Sequence, residues 1–268
     1  MTTDAPSAPG EGTILGGTDQ VSVTGDAHVR VITLNCPDKL NSIDQTMHHD
    51  LVAILAELED DVDVRAVILT GAGDRAFSTG GRRGEWAASV DDRRRRMRRA
   101  GRLFEALVSL HVPVVAAVNG AAVGLGATLV AACDLVVMSE NAFLADTHVL
   151  VGLVAGDGGA VVWPLHTGLL RAKEYLLTGD RLSASQALEI GLANRVVAPE
   201  SVMSTSLEFA NKMAALPPQA VQDTKMLLNQ PLRAASVERL HLGLATETIS
   251  FLAGTSDDNA PGSGKATS

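Results

Sequence analysis

The stretch that decides the fold is Val112–Gly126, which reads VPVVAAVNGAAVGLG. Its first half is a run of β-branched and small apolar residues, which predicts a strand over Val112–Asn119. Glycines interrupt the run, and a helix of small residues is predicted to begin at about Leu125. A strand, a glycine turn and a helix in this order are typical of a strand–helix–strand unit.

The same pattern extends outward in both directions from this stretch. Three further strands are predicted at Val29–Asn35, Val64–Thr70 and Asp134–Met138. A helix is predicted after Ser42, which with Gln45 resembles a capping box, and another over residues 90–110. The alternation indicates an α/β fold with a parallel sheet and crossover helices.

The predicted domain organisation is a single α/β core followed by a helical region. The core covers residues 20–199, with a short strand over Leu192–Val197, and the helical C-terminal region covers residues 200–253. Residues 1–19 and 254–268 are rich in small and polar residues and are predicted to be disordered tails.

Composition excludes several classes of function. The 268 residues carry 22 Lys and Arg against 31 Asp and Glu, a formal charge of −9, which disfavours a general nucleic-acid binder. Aromatic residues make up only 3%, too few for a base-stacking surface. Cys36 and Cys133 stand far apart without clustered histidines, so neither a disulfide framework nor a metal site is predicted. Without a signal segment or an apolar run of about 20 residues, we expect a cytoplasmic protein with no membrane partner.

Three glycine-bearing turns are the first candidates for a functional site. They are Phe77–Gly81, Asn119–Gly126 and Gly152–Gly159. Main-chain amides of two such turns that converge on one point would form an oxyanion hole. The alternative is that they are only tight turns between strands and helices. No turn matches the dinucleotide-binding or P-loop patterns.

Four segments of the chain carry a resemblance to one known family: Val31–Asn41, Leu69–Gly81, Pro113–Gly120 and Leu177–Ala184. Together they resemble the enoyl-CoA hydratase/isomerase (crotonase) family. The resemblance runs from about residue 21 to residue 250. It implies a spiral of ββα units with a C-terminal helical trimerisation region, assembled as a homotrimer or a hexamer. It also implies an acyl-CoA substrate and no cofactor beyond the CoA of that substrate.

The resemblance also implies roles for individual residues. The two oxyanion amides fall at Gly81 and Leu125, and Lys39 and Lys225 lie where the family often meets the CoA phosphates. For both lysines a solvated surface charge is the alternative. Trp163, beside the Asp157 turn, is a further candidate for substrate contact.

The chain departs from the family at the two glutamates that hydration uses. Thr128 and His148 stand at those positions. General acid–base catalysis is worth roughly 10²–10⁴-fold, and a threonine hydroxyl does not titrate near neutral pH. Ordinary hydratase activity is therefore expected to be poor.

A different set of polar residues resembles the oxocamphor hydrolase type of β-diketone hydrolase within the family. The set consists of His148, Asp157, Glu247 and His48. It implies a histidine base, oriented by Asp157 and assisted by Glu247, that activates water. The alternatives are a buried structural histidine, a turn-capping aspartate and an ion-paired glutamate.

The one strong charge run is basic and covers residues 93–102, with seven arginines. It predicts either a solvated helix face or an electrostatic guide for an anionic substrate.

Three functions remain open from the sequence. The preferred one is hydrolytic cleavage of a carbon–carbon bond in a β-dicarbonyl compound or a β-ketoacyl-CoA. The second is an enoyl-CoA hydratase or isomerase with relocated acid–base residues, and the third is a non-catalytic acyl-CoA binder.

Overall fold

A computed structural model describes residues 13–82 and 89–253, which form eleven strands and nine α-helices within those ranges. The strands are β1 (Thr13–Gly17), β2 (Val21–Asp26), β3 (Val29–Leu34), β4 (Ala66–Gly71), β5 (Ala76–Ser78), β6 (Val114–Val118), β7 (Ala121–Val123), β8 (Leu135–Ser139), β9 (Phe143–Ala145), β10 (Leu182–Ser183) and β11 (Arg195–Val197). The helices are α1 (Gln45–Asp60), α2 (Val90–Ser109), α3 (Leu125–Ala132), α4 (Gly159–Thr167), α5 (Leu169–Thr178), α6 (Ala184–Glu189), α7 (Val202–Ala214), α8 (Pro218–Leu228) and α9 (Gln230–Ala253).

The larger sheet has seven strands in the order β1-β2-β3-β4-β6-β8-β11. β1, β2 and β3 pair antiparallel, whereas β3, β4, β6, β8 and β11 pair parallel. Every residue of β4 and β6 is buried, as their unbroken apolar runs require in strands covered on both faces. The α/β class predicted from the sequence is confirmed, and the described helices include none that is long and apolar enough to cross a membrane.

A second, smaller sheet was not predicted. It has the order β10-β9-β7-β5, in which β5, β7 and β9 run parallel. Each of these three strands has only three residues, too few for an alternating pattern to stand out. β7 lies within the glycine turn predicted at Asn119–Gly126, and β5 overlaps the start of the one predicted at Phe77–Gly81.

Two predicted boundaries are wrong. Residues 13–17, assigned to a disordered tail, form β1 and pair with β2, while residues 1–12 and the predicted tail 254–268 lie outside the described ranges. The capping box proposed for Ser42 and Gln45 is absent, because Asp44 is the N-cap of α1 and accepts from the Met47 amide at 2.9 Å.

α7 and α9 have different packing partners. α7 packs on one face, where Val202, Ala210 and Ala214 join a cluster of sheet residues. The helix of residues 202–214 therefore belongs to the core layer rather than to a separate C-terminal region. α9 instead packs along α2 and α4.

Some glycines are required because two main chains approach too closely for a side chain. A Cβ on Gly126, in the first turn of α3, would lie 2.3 Å from the carbonyl oxygen of Ser78 in β5. A Cβ on Gly156 would lie 2.2 Å from the carbonyl oxygen of Gly243 in α9. These contacts fix α3 against the small sheet and α9 against the turn before α4.

The first prediction concerns Gly126. Alanine is the better helix former by about 1 kcal/mol, yet we expect Gly126→Ala to lower the free energy of unfolding by about 1–3 kcal/mol, because the new methyl group meets a main-chain oxygen. Chemical denaturation measures the change.

Gly101→Ala is the matched control within α2. Its new Cβ would meet only the movable end of the Leu244 side chain, at 2.7 Å. Its free energy of unfolding should stay within about 1 kcal/mol of the parent. Equal stability of the two variants would contradict the argument.

Candidate active site

A cavity of ≈ 440 Å³ opens where β5, β7 and β9 end and where α1, α2 and α9 pack against those ends. Both predicted oxyanion residues and all four predicted catalytic residues line it, together with the predicted CoA contact Lys39: Gly81, Leu125, His48, His148, Asp157, Glu247 and Lys39. The sequence predicted this set, and the fold brings it together.

The two glycine turns touch through their main chains. Gly80 has a φ of +77°, and a Cβ there would lie 2.5 Å from the Val123 carbonyl oxygen and 3.0 Å from the Leu125 nitrogen. Only glycine allows this approach. It holds the segment that carries Gly81 directly beside the start of α3.

The geometry around each amide suits donation into the cavity. Leu125 is the first residue of α3, where main-chain amides have no partner within the helix. The Ile43 amide donates to the Gly80 carbonyl oxygen at 2.7 Å, and the Ile43 carbonyl oxygen accepts from the Arg82 amide at 3.0 Å. Because amides alternate in direction along an extended segment, the Gly81 amide points away from Ile43. An oxyanion hole formed by these two amides stays a prediction that this arrangement fits.

His148 follows β9 and is surrounded by three carboxyl groups. Its Nδ1 lies 2.6 Å from Oδ1 of Asp146, which also accepts from the His148 main-chain amide at 3.2 Å. Its Nε2 lies 3.4 Å from Oδ2 of Asp157 and 3.9 Å from Oε1 of Glu247. All four side chains are buried.

The orienting role predicted for Asp157 is therefore corrected. Asp146 holds Nδ1 and fixes the ring, whereas Asp157 lies on the Nε2 side and accepts from the Thr128 hydroxyl at 3.0 Å. Sequence reasoning missed Asp146, although an aspartate two residues before a candidate histidine at the end of a strand is a signal that was available.

The charges of this cluster change the expected role of His148. Burial alone would lower the pKa of His148, but the charge of Asp157 and the hydrogen bond to Asp146 raise this pKa well above 6.5. Burial would raise the pKa of Asp157, but the charge of His148 and its hydrogen bonds lower it. Both shifts favour the pair of an imidazolium and a carboxylate, so they favour His148 as a proton donor rather than as the predicted base.

Glu247 and His48 are uncharged at neutral pH. Burial, followed by the charge of Asp157, raises the pKa of Glu247 to about 8. Burial, followed by the charges of Arg96 and Arg99, lowers the pKa of His48 to about 4. Nε2 of His48 has no hydrogen-bond partner among the described residues.

Two predicted substrate contacts are wrong. Trp163 is fully buried in α4, beside the ring of Tyr175. Lys225 is buried in α8, where its ammonium group lies 2.7 Å from the Val112 carbonyl oxygen and 2.8 Å from the Asp134 carboxylate. Neither side chain lines the cavity. Lys39 is exposed at its rim, and its contact with CoA stays a prediction.

Within residues 13–82 and 89–253, no group of three or more His, Cys, Asp or Glu side chains is arranged to hold a metal ion.

The second prediction tests Asp146. Asp146→Asn keeps the shape of the side chain but removes the negative charge at Nδ1, so we expect the pKa of His148 to fall. An NMR titration of the histidine rings measures this shift. Glu59→Gln is the matched control, because Glu59 lies 2.9 Å from Nδ1 of the surface His111. It should leave the His148 titration unchanged. An unchanged His148 pKa in Asp146→Asn would contradict the assigned partner.

A profile of the enoyl-CoA hydratase/isomerase family matches residues 24–251. Among curated relatives, the short-chain-enoyl-CoA hydratase of Clostridium acetobutylicum is 34% identical over 216 residues, 80% of this chain and 83% of that protein.

Solved structures show the same likeness. An enoyl-CoA hydratase/isomerase from Mycobacterium paratuberculosis is 46% identical with a TM-score of 0.84, over 88% of this chain and 95% of that chain. A β-diketone hydrolase from the cyanobacterium Anabaena, bound to (S)-3-oxocyclohexyl acetic acid, is 27% identical with a TM-score of 0.81, over 87% and 94% of the two chains. From its fold and these matches, the chain belongs to the enoyl-CoA hydratase/isomerase, or crotonase, family of enzymes.

Proposed function

We propose that this enzyme hydrolyses a carbon–carbon bond of a β-dicarbonyl substrate through an enolate. The observation that carries the proposal is the geometry of His148, whose Nδ1 lies 2.6 Å from Asp146 and whose Nε2 lies 3.4 Å from Asp157 in the cavity that Gly81 and Leu125 also line. Such a site pairs an ionised carboxylate, able to take a proton from water, with an acid able to give one to carbon.

The proposed reaction returns each protein group to its starting protonation state. Asp157 takes a proton from water, and the water oxygen bonds to one carbonyl carbon of the substrate. The bond from that carbon to the α-carbon then breaks, and its electron pair forms an enolate whose oxygen accepts from the Gly81 and Leu125 amides. His148 gives its proton to the α-carbon, and Asp157 returns a proton to His148, whose Nε2 lies 3.4 Å away. One water is consumed and one carboxylic acid is formed.

Glu247 assists as a neutral group in this scheme. With a pKa of about 8 it keeps its proton at neutral pH and donates a hydrogen bond instead of repelling the enolate. Its burial against the Gly156 turn holds it on the Nε2 side of His148.

The second candidate is an enoyl-CoA hydratase or isomerase with relocated acid–base groups. The names of the relatives favour it, and so does the exposed Lys39 at the rim, whose positive charge would attract a phosphate of CoA. Here His148 and Glu247 would exchange protons with the acyl chain while the same amides hold the thioester oxygen.

The third prediction separates these functions. We expect the protein to hydrolyse a bicyclic β-diketone and to hydrate crotonyl-CoA only slowly, because Thr128 supplies no base. Asp157→Asn should lower kcat for the diketone by about 10²–10⁴-fold, and the exposed Asp180→Asn should not change it. Steady-state assays on both substrates measure this. Fast hydration without diketone turnover would favour the second candidate, and tight acyl-CoA binding without any turnover would favour a binder.

The fourth prediction follows from the direction of the pKa shifts. The proposed step needs Asp157 ionised, which its lowered pKa ensures above about pH 4, and His148 protonated, which holds until the pH rises through its raised pKa. We therefore expect kcat to be lost on the alkaline side.

A pH profile of the parent and two variants measures this loss. Asp146→Asn should move the alkaline limb to lower pH. Glu247→Gln cannot ionise, so it should remove the loss that ionisation of Glu247 adds near its pKa of about 8 and retain the loss set by His148. A kcat that rises with pH over this range would instead make His148 the base.

A further inference from the structure

We propose that Arg96 binds the oxygen of the carbonyl group whose carbon water attacks, and then the carboxylate formed from that group, so that the substrate class is one whose hydrolysis leaves a carboxylate inside the cavity. This inference rests on the proposed function and names a residue that determines its specificity.

Arg96 differs in its surroundings from the other arginines of α2 whose side chains the structure describes. The side chains of Arg94, Arg95, Arg98 and Arg102 are exposed, which agrees with the solvated helix face that the sequence suggested. Arg96 is half-buried and lines the cavity beside the buried Met97.

The guanidinium of Arg96 lies against one of the two oxyanion turns. Its Nη2 is 3.4 Å from the point that a Cβ on Gly81 would occupy. Because Gly81 has no side chain, nothing from that residue separates the guanidinium from the space in front of its amide. A ligand oxygen held by the Gly81 amide therefore has Arg96 as a neighbour.

The charge of Arg96 acts on groups from two other elements that face the cavity. It is one of the causes that lower the pKa of His48 in α1, and it opposes the rise in the pKa of Glu247 in α9. The guanidinium of Arg96, on α2, therefore lines the same cavity as His148 and Asp157.

Two other arginines of the described cavity wall have different surroundings. Arg82 is ion-paired with the Asp44 carboxylate and donates to the Ser42 hydroxyl at 3.3 Å. Arg99 is exposed and donates to the Gln45 side chain at 3.2 Å. Apart from the chain neighbours of Gly81, Arg96 is the described residue that comes within 4 Å of the Cβ position of this glycine.

The chemistry of a β-dicarbonyl compound fits this arrangement. Its two carbonyl carbons are separated by one carbon atom. When one carbonyl oxygen accepts from the Gly81 and Leu125 amides, the other therefore lies within reach of Arg96. Attack by water makes that second oxygen an anion, and cleavage leaves it in a carboxylate. A guanidinium matches a carboxylate with two parallel hydrogen bonds, which an ammonium group does not.

Binding of a product measures this recognition without any turnover. Calorimetry compares 3-oxocyclohexyl acetic acid with its neutral methyl ester, using the parent, Arg96→Met, Arg96→Lys and Arg98→Met. Arg98→Met is the matched control, because it removes the same charge from the exposed face of the same helix.

We expect Arg96→Met to weaken binding of the acid by about 10–100-fold and binding of the ester by less than about threefold, with Arg96→Lys between Met and the parent. Arg98→Met should bind both ligands as the parent does, and ester binding reports that the variants are folded.

Three results would overturn the inference: no detectable binding of the acid to the parent, no preference for the acid over the ester, or equal weakening of both ligands in Arg96→Met. If the parent fails to hydrolyse a β-diketone while acid binding still depends on Arg96, the proposed function fails and carboxylate recognition stands.

Discussion

The contact between two main-chain turns determines the geometry of the whole site. Gly80 approaches Val123 and Leu125 so closely that no side chain fits between them, and Gly126 approaches Ser78 in the same way. These contacts bind the ends of β5 and β7 to the start of α3. β9 pairs with β7 and ends immediately before Asp146. Asp146 and His148 therefore lie at the same edge of the same small sheet.

The buried charges are tolerable because they alternate in sign. Asp146, His148 and Asp157 form a row in which a cation lies between two anions, and a cation paired on both sides is favoured at a depth where a lone charge would be expelled. Glu247 lies at the end of the row, where burial and the charge of Asp157 raise its pKa to about 8. The pKa shifts of this one buried cluster thus favour a base at Asp157 and proton donors at His148 and Glu247.

Elements with a strong sequence pattern were predicted correctly, and the features that were not predicted have physical causes. The buried strand β6 and the start of α3 followed from apolar runs and glycine positions, whereas the choice of Gly81 and Leu125 followed from the family resemblance. The small sheet was missed because three of its strands are three residues long and the fourth is shorter. Trp163 and Lys225 were misplaced because burial is decided by packing across distant segments: the lysine meets Asp134, 91 residues earlier, and the tryptophan lies under α5. The Asp146 partner of His148 was missed because the three carboxyl groups around this ring come together at distances that no linear pattern reveals.

The approach of Gly156 to Gly243 has a consequence for how chemistry varies on this scaffold. It anchors the last helix to the turn before α4 through main-chain atoms alone, one helical turn from Glu247. Side chains on the exposed face of that helix can therefore diverge without altering where position 247 lies. The contact keeps Glu247 beside the turn that carries Asp157, so a new side chain at either position would change the reaction while the main chain stays in place.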